Sequence, residues 1–115
     1  AGSRYFLDAL IDLNQGSTED LLKRLIAVQA LYAQTHNGAF GELKDLLNAG
    51  LISADMIDPK SSGYNFHIVV PAGGKTFVAS AEPTRYGHTG KLSYWMDQTG
   101  AIKNADNGGK PLKTP

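Results

Sequence analysis

Cysteine is absent from the chain, which excludes disulfides, thiolate metal centres, a cysteine nucleophile and thioether-linked haem. It says nothing either way about export. Net charge is absent too, since 11 Lys and Arg stand against 11 Asp and Glu. A nucleic-acid binder ordinarily carries a basic excess, because neutralising phosphates supplies much of its affinity; nucleic acid is therefore set aside as a partner. No apolar run approaches the ~20 residues that a membrane-spanning helix needs. The most apolar stretch near the start, Tyr5 to Leu13, is interrupted by Asp8 and Asp12 and lacks the basic n-region and small-residue cleavage site of a signal peptide. If the protein is exported, its targeting piece has been removed or belongs to another chain. Internal repeats and dividing linkers are missing as well, and 115 residues suffice for one domain with one modest core.

What is present divides into a helical first half and a stranded second half. Residues 4–13 place Tyr5, Phe6, Ala9, Leu10 and Leu13 at helical spacing, and Asn14-Gln15-Gly16 is expected to end that pattern. Ser17 reads as the N-cap of a second helix, with Glu19 and Asp20 in its first turn. To about Thr35, Leu21, Leu22, Leu25, Ile26, Val28, Tyr32 and Ala33 form the apolar face, opposite Lys23, Ala27, Ala30 and Gln34. Asn37-Gly38 ends this helix. Short helices are expected over 42–48 and from Ser53 to Met56, the latter stopping before Asp58-Pro59.

Beyond Gly63, Tyr64, Phe66, Ile68 and Val70 alternate with Asn65, His67 and Val69, the pattern of a strand buried on one face. Pro71 to Gly74 turns the chain, 76–81 returns it, and 92–96 makes a third strand after an irregular loop from Glu82 to Gly90. Asp97-Gln98-Thr99-Gly100 has the residues of a type I turn, and 101–103 makes a short fourth strand. The fold class is thus α+β, with N-terminal helices on a three- to four-stranded antiparallel sheet. Three parts are expected: an apolar helix and break over 1–16, a globular head over 17–103 and a polar mobile tail over 104–115.

Chemistry-bearing patterns are sparse. Gly74-Lys75-Thr76 imitates the end of a phosphate loop, but Val69 stands where the first glycine belongs and a strand follows instead of a helix. His36, His67 and His88 fall on three elements with no metal-ligand spacing. No nucleophile elbow occurs, no histidine has a local acid partner, and Asp8 with Asp12 reads as a solvated helix face. Asn104, Asp106, Asn107 and Gly108, after Asp97, offer hard oxygens for Ca²⁺ but lack the alternation of a calcium loop. No catalytic residue, metal site or cofactor is assigned. Aromatics make up 9% of the chain at core-like spacings, so any part in electron transfer would be indirect.

One feature is odd for a small monomer. Tyr5, Phe6, Leu7, Leu10, Ile11 and Leu13 crowd six large apolar residues into nine positions, on more than one side of a helix. They fold back onto the core, or one side packs on the domain while the other awaits a partner.

Several stretches, taken in order, resemble the head domain of bacterial type IV pilin-like proteins. They are Leu25 to Tyr32 with Asn37-Gly38, then Leu43 and Leu46, Ala49-Gly50-Leu51-Ile52, and Lys60-Ser61-Ser62-Gly63-Tyr64-Asn65-Phe66. Phe77 to Pro83, Tyr86-Gly87, Thr89-Gly90, Ser93-Tyr94 and Asp97 to Lys103 continue the likeness, which covers residues 21–103. The resemblance implies a non-catalytic filament or pseudopilus subunit, exported to the periplasm or cell surface. The long apolar helix with which ordinary pilins begin is not in this sequence. Either it has been cut away to leave a soluble piece, or the chain resembles the C-terminal half of a split pilin whose short helical partner supplies it. The apolar start favours the second. Tyr5, Phe6, Leu7, Leu10, Ile11 and Leu13 would then dock the partner helix, the membrane would be reached only through that partner, and Thr84, Arg85, Tyr86 and His88 would meet other heads. Two other classes compete: a monomeric periplasmic module binding a small ligand in a deep apolar pocket, and a small enzyme built on gathered histidines.

Overall fold

The computed structural model describes residues 2–113. Ala1 at the start of the expected apolar segment, and Thr114 and Pro115 at the end of the expected tail, lie outside the described residues. The first element, α1, runs Gly2–Gln34 without interruption. Its 33 residues make a rod of roughly 50 Å at 1.5 Å per residue, nearly the whole 54 Å length of the molecule.

The break expected at Asn14-Gln15-Gly16 does not occur. Glycine inside a helix costs only about 1 kcal/mol relative to alanine, and the flanking side chains outweigh it. Asn14 Nδ2 donates to the Thr89 carbonyl at 3.0 Å, and Gln15 Oε1 accepts from the Lys91 and Leu92 amides at 3.0 and 3.1 Å. Thr18, buried, donates back to the Asn14 carbonyl at 2.8 Å. Residues 14–18 are thus pinned to the body of the protein in helical geometry. Ser17 is consequently an exposed mid-helix residue and not an N-cap, and Glu19 meets Tyr94 Oη at 3.4 Å instead of a helix terminus.

Three short helices follow: α2 Leu43–Asn48, α3 Ala54–Ile57 and α4 Pro59–Ser62. Asp45 accepts the Glu42 amide at 2.9 Å at the start of α2. The fourth helix was not expected. Proline sits at its first turn, where its missing N–H costs nothing, and the Asp58 carboxylate accepts from the Lys60 amide at 3.0 Å. Gly63, at φ 75°, closes it in the left-handed region.

The strands β1 Tyr64–Val69, β2 Val78–Pro83, β3 Leu92–Asp97 and β4 Ile102–Asp106 pair antiparallel in sequence order. The α+β class stands as expected: one long helix lies on a four-stranded meander. The second strand begins later than expected and takes in Glu82 and Pro83, because β1 pairs Tyr64 with Pro83. Strand β4 reaches Asp106, so 104–106, expected to be mobile, belong to the sheet. Ladder bonds from Leu92 to Met96 supply the order that their polar side chains do not.

Side chains alternate across the sheet. Tyr64, Ile68, Ala79, Ala81, Tyr94 and Met96 face Leu22, Leu25 and Val28 of α1, with Leu46, Ile52 and Phe77 closing the ends. Gln29, fully buried, donates to the Gly41 carbonyl at 2.8 Å and accepts its amide at 2.9 Å, binding the C-terminal part of α1 to the segment before α2. Burial pushes the phenols of Tyr64 and Tyr94 far above the ordinary value, so both remain neutral donors.

Two glycines should respond oppositely to a methyl group. A Cβ on Gly16 meets nothing within 4 Å, so Gly16→Ala should stabilise the fold by about 0.5–1 kcal/mol. A Cβ on Gly90 overlaps the Tyr64 ring, so Gly90→Ala should cost about 1–3 kcal/mol. Thermal unfolding of both variants checks the pair, and a melting point lowered by Gly16→Ala would contradict the unbroken α1.

Candidate docking face

In α1, Ile11 begins the run of buried positions, continued by Asn14, Thr18, Leu21, Leu22 and Leu25. They recur every three or four residues on one side of the helix. Phe6, Ala9 and Leu13 recur in the same way on the other side, beside Tyr5. Tyr5 is 79% exposed, Phe6 70% and Leu13 66%, whereas Ile11 is 4% exposed. Leu7 and Leu10 are half-buried between these sides. The six apolar residues singled out in the sequence therefore divide: Ile11 joins the domain, and Tyr5, Phe6 and Leu13 face outward. Leu31 is exposed on the same side farther along, and Ile26, expected on the buried face, is 41% exposed.

Thr84, Arg85, Tyr86 and His88 are all exposed. The loop is not irregular, however. Thr84 donates to the Gly63 carbonyl at 3.0 Å, Thr89 Oγ1 accepts the Arg85 amide at 3.0 Å, and the Gly87 amide reaches the Gly90 carbonyl at 2.9 Å. Tyr86 Oη donates to both carboxylate oxygens of Asp106 at 2.8 Å. Composition alone hides this, because Gly87 and Gly90 signal turns without revealing which carbonyls they satisfy. The loop meets α1 at Asn14, on the buried side, so it does not share a surface with Phe6 and Leu13.

An open groove of about 510 Å³ runs between α1 and the sheet edge, lined by Asp8, Ile11, Asp12, Gln15, Lys91, Leu92 and Asp106. Its charged lining differs from the deep apolar pocket that a small-ligand module calls for. The histidines stay apart. His36 stacks on Tyr32 at 3.7 Å between ring centroids, and His88 is exposed in its loop. His67 does have an acid partner, which the local sequence did not reveal: its Nε2 lies 2.9 and 3.0 Å from the oxygens of the buried Glu82 carboxylate. The two meet diagonally across the β1–β2 ladder, a neighbourhood that only register creates. Among the described residues, no group of three or more His, Cys, Asp or Glu could hold a metal ion. Asp106 is engaged by Tyr86 and by the Gly108 amide, and Asn107 Nδ2 donates to the Lys110 and Pro111 carbonyls. Among the described residues, no helix is long and apolar enough to cross a membrane.

The Tyr86 bond holds the Asp106 carboxyl below the ordinary carboxylate value and raises the Tyr86 phenol above its own. A carboxylate depressed by folding contributes fully above its ordinary value and loses that contribution as pH falls through the folded one. The Tyr86–Asp106 tether should therefore hold at neutral pH and release in acid below the ordinary 3.8. At the alkaline end it should persist beyond 10.0, the phenol's ordinary value. Titration of the Tyr86 ring by NMR checks this; Tyr86→Phe should move Asp106 upward toward ordinary titration, with the Gly108 amide and Lys91 still holding it somewhat below, and an unchanged Asp106 would rule the tether out.

No family model, no curated protein and no solved structure matches the chain.

Proposed function

We propose that the protein is a non-catalytic, exported structural subunit of a type IV pilus or type II secretion-like pseudopilus, which assembles through the outward side of α1 with a short helical partner. The observation that carries this reading is the exposure of Tyr5, Phe6 and Leu13 on a helix whose other side is sealed against its own sheet. A fully buried aromatic side chain removes about 150–250 Å² from water, worth roughly 4–6 kcal/mol at 25 cal/mol per Å² before ordering costs. Leaving two such rings and a leucine in solvent on one ordered rod makes a surface suited to a second helix, by ridges packed into grooves. The pinning of residues 14–18 gives that rod a fixed direction relative to the head, which a filament subunit needs if heads are to repeat regularly around a core. Membrane contact belongs to the partner, and Thr84, Arg85, Tyr86 and His88 are the contact loop toward neighbouring heads.

The test is co-purification from the native host, with mass spectrometry identifying a short apolar companion. Phe6→Glu with Leu13→Glu should reduce companion recovery by roughly thirtyfold or more, the loss expected of a hot spot worth at least 2 kcal/mol. Thermal stability should stay within ±0.5 kcal/mol of the parent because both sites are exposed. Undiminished capture of the companion by this double variant would end the proposal.

A further inference from the structure

Asparagine followed by glycine is the dipeptide most open to spontaneous loss of ammonia, because glycine offers the attacking backbone nitrogen no side-chain shield. The chain contains two such pairs, Asn37-Gly38 and Asn107-Gly108, and their settings differ. The Gly38 amide caps α1, donating to the Ala33 carbonyl at 2.9 Å, while the Asn37 carbonyl accepts from Lys75 Nζ at 3.0 Å. That nitrogen is held in a helix terminus and is not free to turn on the side chain. The Gly108 amide instead donates to the Asp106 carboxylate at 3.2 Å, in an exposed turn where a second glycine, Gly109, follows. A carboxylate beside the nitrogen is placed to receive its proton.

The side chain that would react also holds the C-terminal segment in place. Asn107 Nδ2 donates to the Lys110 carbonyl at 3.3 Å and to the Pro111 carbonyl at 3.0 Å. The Lys110 carbonyl in turn accepts from Ser93 Oγ at 2.8 Å. Ser93 is fully buried although it lies on the sheet face turned away from α1. Residues 107–111 thus strap the outer face of β3 through the Ser93–Lys110 bond. The Asn107 carboxamide, with the Lys110 amide donating to the Asn107 carbonyl at 3.2 Å, holds the turn that presents the Lys110 carbonyl to Ser93.

We propose that Asn107 is a site of spontaneous deamidation, and that its conversion unfastens the C-terminal strap from β3. The Gly108 nitrogen, having given up its proton, forms a bond to Asn107 Cγ; the Cγ–Nδ2 bond breaks and, with a proton from solvent, ammonia leaves. Water then opens the resulting succinimide at either carbonyl, leaving aspartate or isoaspartate. Nothing is oxidised or reduced. The product carboxylate cannot donate to the Lys110 and Pro111 carbonyls, and it adds a second negative charge beside Asp106.

The experiment incubates the full chain at mildly alkaline pH and maps its peptides by mass spectrometry. Deamidation adds about 1 Da to the affected peptide. Conversion at Asn107 should exceed that at Asn37 by at least roughly tenfold, since Asn37 reacts only when the helix cap opens. Asn107→Gln, which keeps a donor amide but closes a ring far less readily, should show no gain at that position. Hydrogen–deuterium exchange over residues 107–113 should run several-fold faster in Asn107→Asp than in the parent, with β2 unchanged. Equal conversion at the two asparagines, or none at Asn107, overturns the site; unchanged exchange in Asn107→Asp overturns the release of the strap.

Discussion

The structure depends on how the middle of α1 is held against the sheet. Buried polar side chains destabilise a fold unless they find partners, and Asn14 and Thr18 are both buried and both bonded. Gln15 accepts two successive backbone amides where β3 begins, which sets the start of that strand relative to the helix. Tyr64 then donates to the Leu92 carbonyl at 2.6 Å, with Gly90 making room for its ring. Farther along, Gln29 clamps the segment before α2 in the same two-handed manner. Two amide side chains roughly four turns apart therefore position most of what the helix touches, and the apolar core fills the space between them.

This arrangement explains how α1 can carry apolar surface on two sides without losing its direction. A helix free in solvent at its N-terminal turns frays readily, since its stability comes mostly from packing of an amphipathic face. Here the packing begins at Ile11, only two turns beyond Tyr5, and continues through the bonded residues 14–18. Phe6 and Leu13 are thereby presented on a supported rod and not on a flexible arm. That distinction matters for binding, because a surface ordered in advance loses less conformational entropy on meeting a partner. The glycine that seemed to divide the segment is, in this setting, a small exposed position on the outward side of the same rod.

Much of the architecture was legible because local signals and tertiary environment agree. The alternation in β1, the Asp97–Gly100 turn and the leucines of α2 each specify one outcome, and the inward Leu21, Leu22, Leu25 and Val28 of α1 follow from spacing. Where the reading failed, distant partners decided. Nothing near Gly16 in sequence announces that Thr89, Lys91 and Leu92 will bind its neighbours from more than seventy positions away. The fourth helix hid behind Pro59, a stop signal for α3 that is equally a first-turn residue for what comes next. At the start of α1, the crowding of apolar side chains over residues 5–13 is plain from composition, but their division into inward Ile11 and outward Phe6 and Leu13 requires the unbroken helix. His67 and Glu82 are fifteen positions apart and become neighbours through strand register alone.

The fate of the polar C-terminal segment follows the same logic from the opposite direction. A stretch with little apolar content cannot order itself by burial, and Asn104 to Pro111 contains almost none. Order comes instead from borrowed hydrogen-bond partners: the β3 ladder for 104–106, then Ser93 for the Lys110 carbonyl. Such order is only as durable as the few groups that provide it. A core of leucines tolerates the loss of one contact because many others remain, whereas a strap held by Ser93, the Asn107 carboxamide and one backbone bond has little such reserve. The body of this molecule and its C-terminal segment thus differ in kind, one held by many apolar contacts around α1 and the other by a few hydrogen bonds from Ser93 and Asn107.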